Sequence, residues 1–447
     1  MSLPPETPPA GEKQNTAARG NSDAQATASF HALADSFLAP LRVRNFRLLF
    51  SGQMISTLGD MFYAVALPWL MLSNGHSPQE LGIVLAAYGV SRVGALLVGG
   101  VLSDKWRPRR VMLLADTARA LLTGALVALV VTRNTAVWQL CAVTVPLGAF
   151  AGLFLPAYYA MLPEILSDDE LQAGNALNSA SIQLALSVGS GAAGLIISRL
   201  QSSFALAIDA LTFVVSAATL LLMSGQRRTT AAPVAGKTGP DSTDATTERQ
   251  FPADITFWQL LRTWRLLQVA LLVIIFGNFL FNGMMEVALP TLARSQFAAG
   301  ASGYGLLLAC FGGGSLLGGL IAGTLGHLRQ RGMLMLTLIM ALAVWYSFVP
   351  FSGGLIAAAL LIGSAGFTNG ILTVLAFTLM QQQAPRHLLG RLMAILMVAT
   401  LGLYPFSVAI AGVLTSRLGP AILFPISGAM MLAAALFGWL QPEVRKV

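Results

Sequence analysis

The sequence predicts an all-α integral membrane protein with 12 transmembrane helices, built as two six-helix pseudo-repeats. Composition is the first reason: 55% of the 447 residues are hydrophobic and 10% are charged, with a mean hydropathy of +0.70. A soluble domain carries roughly 25% charged residues, so this chain lacks the polar surface that water demands. The spacing of apolar runs is the second reason, and an internal repeat is the third.

A helix rises about 1.5 Å per residue and must cross about 30 Å of hydrocarbon, so a span needs roughly 20 apolar residues. Twelve runs qualify, near 46–72, 79–103, 109–132, 136–162, 173–198, 203–224, 267–293, 302–325, 333–350, 354–381, 389–416 and 419–440. The 44 glycines suit helices that pack closely through small residues. Ala64-Val65-Ala66-Leu67-Pro68 in the first run recurs as Glu286-Val287-Ala288-Leu289-Pro290 in the seventh, 222 residues on. Gly100 and Asp104 answer to Gly323 and His327 at 223, and Pro163 to Pro385 at 222. Three matches at nearly one offset mark a duplicated six-helix unit, which places a substrate cavity between the halves near the bilayer midplane.

Loop charge sets the orientation. With both termini cytoplasmic, 21 Lys and Arg lie inside and four outside (Arg133, Arg199, Arg294 and Arg417), while Arg92 and Arg119 are intramembrane. The expected location is the cytoplasmic membrane. The net charge of +8 therefore reflects loops on one side and does not point to nucleic acid. The organisation reads as a disordered cytoplasmic tail at 1–40, a helix bundle at 41–224, a cytoplasmic linker at 225–266, a second bundle at 267–441 and a short tail at 442–447. The first tail has no apolar core, and its Glu6, Glu12, Asp23 and Asp35 argue against an organellar transit peptide. The linker's end at 257–265 reads equally as an amphipathic surface helix and as plain linker. Cys141 and Cys310 lie in apolar runs as free thiols.

The loop Gly100-Val101-Leu102-Ser103-Asp104-Lys105-Trp106-Arg107-Pro108-Arg109-Arg110 is the most specific motif. It resembles the helix 2–3 signature of the major facilitator superfamily (MFS), with Arg107 where the family usually has glycine. Further stretches are similar to its drug:proton antiporter-3 branch, which holds enterobactin exporters and macrolide-efflux proteins. These are Leu58-Gly59-Asp60, Ala115-Asp116-Thr117-Ala118-Arg119, Leu171-Gln172-Ala173-Gly174-Asn175-Ala176-Leu177-Asn178, Ile208-Asp209-Ala210-Leu211-Thr212-Phe213 and Gly390-Arg391-Leu392-Met393. The resemblance implies the MFS fold over roughly 41–440 and a conformational latch at the cytoplasmic ends of the halves. Gly100, Asp104, Arg109 and Arg110 would form it, with Asp104 facing Gly390-Arg391 and with Asp116 and Arg119 nearby. Antiporter members often carry a Gly-Pro pair in helix 5; here Gly189-Ser190-Gly191-Ala192-Ala193-Gly194 has no proline.

Intramembrane charges cost roughly 2.5–3.5 kcal/mol each on insertion scales, so they are the strongest site candidates. Asp60 and Arg92 fall at similar depth near the midplane and are expected to pair, and Asp116 and Arg119 to pair locally at i, i+3. Asp209 is expected near the outer surface, where water reaches it. Shifted by 222, Asp60 becomes Asn282, Arg92 Gly314, Asp116 Leu338, Arg119 Ala341 and Asp209 Met431. The second half keeps only Glu286, on one face with Asn278 and Asn282 at i, i+4, i+8. A buried acid without a sequence-local cation is suited to take up and release protons, so Glu286 is the first candidate proton carrier and Asp60 the second. Gln183, Tyr158, Asn369, Thr373 and Tyr404 are candidates for a substrate path, though ordinary interhelical hydrogen bonds explain them as well.

The function this implies is proton-coupled export of a small amphipathic organic compound, such as a drug, siderophore or metabolite, by alternating access. Its partners are a small-molecule substrate, protons and the lipid bilayer, in a monomer. A lipid or solute facilitator or symporter is the alternative, and a membrane sensor a distant one. An enzyme is not expected: the four histidines are scattered without metal spacing or a nucleophile motif, and no cofactor or metal site is read. No nucleotide-binding loop is present.

Overall fold

The computed structural model describes residues 37–224, 265–297, 300–323, 331–383 and 399–441. Every regular element among them is helical. The first six long helices are α1 (Arg44–Ser73), α2 (Pro78–Lys105), α3 (Pro108–Val131), α4 (Val137–Ile165), α5 (Asp168–Leu184 and Ser190–Leu200) and α6 (Ser202–Leu222). They are followed by α7 (Arg265–Gly283 and Leu289–Ser295), α8 (Gly300–Ala322), α9 (Arg331–Phe348), α10 (Leu355–Gln383), α11 (Tyr404–Leu418) and α12 (Leu423–Trp439). Eleven of these are long and apolar enough to cross a membrane, α11 from Ala399; α7 is the twelfth by its place in the packing. Two helices are broken internally by one π turn each, Ala185–Gly189 in α5 and Met284–Ala288 in α7. The segment at 257–264 lies outside the described residues, as do His327 and residues 384–398, where the expected run at 389–416 begins.

Local chemistry explains where the helices start. Ser77 and Ser167 each precede a glutamate three residues on, the capping-box pattern. The Ser77 N–H donates to Glu80 Oε2 at 2.7 Å, and Glu80 N–H donates back to Ser77 Oγ at 3.2 Å. Ser167 N–H donates likewise to Glu170 Oε2 at 3.0 Å. Pro78 and Pro108 stand at first-turn positions, where a missing N–H costs nothing.

The packing repeats as the residues do. In the first six helices, α1 packs on α5 and α6, α2 on α4, and α3 on α4 and α6. In the last six, α7 packs on α11 and α12, α8 on α10, and α9 on α10 and α12. The halves meet chiefly through α2 on α11 and α5 on α8, two contacts that a pseudo-two-fold axis would exchange.

Burial is uneven along that axis. The largest apolar core runs through both halves toward the end carrying residues 74–77 and 419–422, joining Leu70, Met71 and Leu85 to Leu292, Tyr304 and Phe424. At the opposite end the described residues form separate clusters. One cluster (Phe46, Met112, Phe154, Met161 and Leu220) belongs to the first half and another (Ala322, Ile371 and Leu375) to the second.

Candidate functional site

Closure at the first end depends on glycine. A Cβ on Gly194 of α5 would lie 2.9 Å from the Cα of Gly305 in α8 and 2.8 Å from the Ala301 carbonyl oxygen. A Cβ on Gly82 of α2 would lie 2.7 Å from the Val408 carbonyl oxygen and 3.0 Å from the Cα of Gly412 in α11. Backbones this close leave no room for a side chain. The Gln79 N–H donates to Ser416 Oγ at 2.8 Å, tying α2 to α11 at the same end. Nearer mid-depth, Gln183 Nε2 donates to Ser315 Oγ across the α5–α8 seam, and Ser187 Oγ donates to the Ala309 carbonyl at 3.2 Å.

Glu286 sits beneath this closure, within the π turn of α7. A π turn inserts one residue into the helical register, so Glu286 leaves the i, i+4, i+8 face expected with Asn278 and Asn282. Those asparagines bond back onto their own helix: Asn278 Nδ2 donates to the Ile274 carbonyl at 2.9 Å, and Asn282 Nδ2 to the Asn278 carbonyl at 3.4 Å. Glu286 instead accepts a hydrogen bond from the Tyr404 hydroxyl of α11. The π turn is braced by the same helix, because the Gly283 N–H donates to Ser407 Oγ at 2.8 Å. No local signal could have paired Glu286 with a tyrosine 118 residues away.

Tyr404 also walls a cavity between the halves. Its other lining residues include Gly89, Arg92 and Leu96 of α2, with Gly152 and Leu155 of α4. The Arg92 charge acts on both Asp60 and Glu286, yet Arg92 makes no hydrogen bond or ion pair among the described residues. The expected Asp60–Arg92 pair is therefore not formed. Similar depth does not fix the direction in which a side chain leaves its helix.

Asp60 bonds to Arg119 Nη2 of α3. Arg119 also lies 3.9 Å from Asp116, the expected i, i+3 neighbour, and its guanidinium stacks 3.9 Å from the Phe213 ring centroid. Asp116 in turn accepts from Ser216 Oγ of α6 at 2.6 Å. Asp209, expected near the outer surface, is instead 1% exposed. It stands two turns into α6 against Gly59 of α1, close enough for its charge to act on Arg119, and its Oδ1 has no hydrogen-bond partner.

The remaining candidates disperse. Arg109 caps α6 of its own half, Nε donating to the Leu220 carbonyl at 2.8 Å and Nη2 to Leu221 at 2.9 Å. Arg110 is exposed. The Asp104 side chain and all of Arg391 lie outside the described residues, and Gly100 is placed by its backbone on α2. Tyr158 is buried within the first half, where its hydroxyl donates to Asn178 Oδ1 at 3.1 Å. Asn369 is half-buried and Thr373 exposed, both on α10. Cys141 and Cys310 are free and half-buried. In α5 the π turn Ala185–Gly189 stands beside the glycines where antiporter members often carry proline.

Twelve helices in two similarly packed sets, meeting over a charged cavity, define a multi-pass membrane transporter. The chain belongs to the Major Facilitator Superfamily, whose family model matches residues 49–403. It is 26% identical over 407 residues to the multidrug efflux pump Tap of Mycolicibacterium fortuitum, covering 90% of this chain and 96% of that one. It is 26% identical over 366 residues to the enterobactin exporter EntS of Salmonella choleraesuis (strain SC-B67), covering 78% and 80%. Among solved structures, the nucleoside transporter NupG matches with a TM-score of 0.65 at 14% identity, over 89% of this chain and 98% of that one. A D-xylose-proton symporter matches at 0.63 and 18%, over 92% and 99%. These last two likenesses concern the fold.

Proposed function

We propose that this protein is a proton-coupled exporter of small amphipathic organic compounds, working by alternating access as a monomer in the cytoplasmic membrane with both termini inside. The observation that carries the reading is Glu286, an acid in the π turn of α7 bonded within the second half to Tyr404, which itself lines the cavity between the halves. An acid there can be exposed to one side of the membrane and then the other as the halves rock, so that its proton is exchanged between compartments. Relatives named as multidrug and enterobactin exporters support the direction. With the loop charges setting the orientation, the closed end is the outer one, which is the state in which a substrate enters from the cytoplasm. Such rocking is transport and not bond chemistry, so no enzymatic activity is assigned. Within this reading Asp60 is the second proton site, and Gln183 is a contact of the seam. The loop from Gly100 to Arg110 joins the halves at the inner end when the outer end opens.

The test is transport of a substrate panel by reconstituted protein under an imposed pH gradient. Wild type is expected to move at least one amphipathic compound against its gradient with counter-flow of protons. Glu286→Gln is expected to lose gradient-driven accumulation while still exchanging substrate across the membrane. Full gradient-driven transport by Glu286→Gln would overturn the assignment.

A further inference from the structure

The α2–α11 seam is held at successive depths. At the outer end the Gln79 N–H donates to Ser416, and further in Gly82 lies against Gly412 and the Val408 carbonyl. About two turns deeper, Gly89 of α2 receives the ring of Tyr404. A Cβ on Gly89 would lie 2.5 Å from the ring's Cδ1, 2.9 Å from its Cε1 and 3.2 Å from Pro405 Cβ, so the socket exists because residue 89 has no side chain. The far end of the same ring is fixed to a third helix, since the Tyr404 hydroxyl donates to Glu286 in the π turn of α7. Helix α11 is interrupted just before this residue, by a turn at 402–403.

We infer that Tyr404 is the positioning residue that keeps the outer end shut while Glu286 is ionised and no substrate is bound. A hydroxyl-to-carboxylate bond is charge-assisted and roughly twice as strong as a neutral one, and this one holds the ring in the Gly89 socket across the seam. A proton taken up by Glu286 from water removes the negative charge that the hydroxyl serves, and the ring is then free to leave α2. Tyr404 also walls the cavity between the halves, so a substrate arriving there meets the ring itself. A carrier built this way changes state when it holds a proton or a substrate and stays shut when it holds neither, which makes exchange obligatory. Of the helices around the π turn, α2 brings Tyr88 and Arg92, and α1 brings Asp60 and Tyr63. From α8 the Tyr304 hydroxyl donates to the Met285 carbonyl at 3.5 Å, and α12 brings no titratable group. Among the described residues, Tyr404 alone bonds the Glu286 carboxylate. The inference rests on the transport reading and states how Glu286 acts within it.

The experiment measures distances between spin labels on Ala136→Cys and Arg417→Cys, exposed at the outer ends of the two halves. The full-length parent carries Cys141→Ser and Cys310→Ser and is held in detergent without substrate or gradient. Its ratio of open to closed outer ends is expected to rise about tenfold from about pH 9 to about pH 5, as loss of the charged acceptor gives. Glu286→Gln should hold the open ratio at every pH. Tyr404→Phe, which keeps the ring but not the hydroxyl, should do the same, and so should Gly89→Ala, which displaces the ring while Glu286 still titrates. Asp60, Asp116 and Asp209 remain in all three variants, so a response of theirs would survive in each. Melting curves show that each variant is folded, and one that is not is replaced by Tyr404→Leu or Gly89→Ser. A parent unmoved by pH, a response that survives Glu286→Gln, or Tyr404→Phe that opens and closes as its parent does would overturn the inference. Gradient-driven export in vesicles by a parent whose outer end ignores pH would sink the lock and leave the export reading standing; an intact pH response without export would do the reverse.

Discussion

Arg119 hydrogen-bonds Asp60 and lies 3.9 Å from a second carboxylate, Asp116, while a third, Asp209, lies buried in its field. Its cationic face is further covered by Phe213, so the guanidinium is enclosed inside the first half. Removing it strands the fully buried Asp116 and leaves the half-buried Asp60 without its cation. Arg119→Ala is therefore expected to destabilise the protein by about 3–5 kcal/mol, the cost of breaking one side of a buried ion pair. Asp209→Asn removes a carboxylate that Arg119 does not bond, and should leave the melting temperature unchanged or raise it. Thermal unfolding in detergent reads both, and a stable Arg119→Ala variant would contradict the charge accounting. That Asp60, Asp116, Arg119 and Glu286 are intramembrane charges in need of partners is legible in the sequence, because charge inside an apolar run is conspicuous and costly. Their partners are not legible, because azimuth and interhelix distance are tertiary: Asp60 turns to Arg119 instead of Arg92, and Glu286 to Tyr404.

At the scale of the helix, spans are read well because apolar run length is a local property. The expected run at 79–103 is the helix Pro78–Lys105, and that at 203–224 is Ser202–Leu222. The two π turns escape such reading, since one inserted residue barely alters a hydropathy profile. The α7 turn depends on Ser407, which accepts from the Gly283 N–H. Ser407→Ala leaves that buried N–H without a partner, and is expected to cost about 1–3 kcal/mol of stability. Ser407→Thr, which keeps the hydroxyl, should recover most of it in the same melting experiment. Glycine contacts at the closed end give a second expectation. Gly305→Leu forces a side chain against the backbone of α5 and should hold the outer end open. In a background of Cys141→Ser and Cys310→Ser, labelling of Ser187→Cys by an external impermeant maleimide should then quicken by about tenfold, which corresponds to roughly 1.4 kcal/mol. Unchanged labelling would mean that the seam tolerates the side chain.

Over the whole molecule, duplication and asymmetry act together. The repeated packing scheme lets one half rock against the other about two exchangeable seams, α2 on α11 and α5 on α8. Charge breaks the symmetry: the first half carries the Asp60, Asp116, Arg119 and Asp209 cluster as an internal brace, and the second carries Glu286 in the π turn of α7. One core spans both halves at the closed end, while the described residues at the opposite end form separate clusters, so opening the closed end must part apolar surface that is now joined. Alternating access therefore requires the α2–α11 seam to separate once per cycle. Gln79 and Ser416 touch across it through a 2.8 Å hydrogen bond, close enough for a disulfide if both are cysteine. In the cysteine-free background, Gln79→Cys with Ser416→Cys should crosslink on mild oxidation and stop transport, and a reductant should restore it. Either cysteine alone should transport normally under the same oxidant. Crosslinked protein that still transports would show that the seam stays shut throughout the cycle, and rocking of the two halves about it would then be the wrong motion.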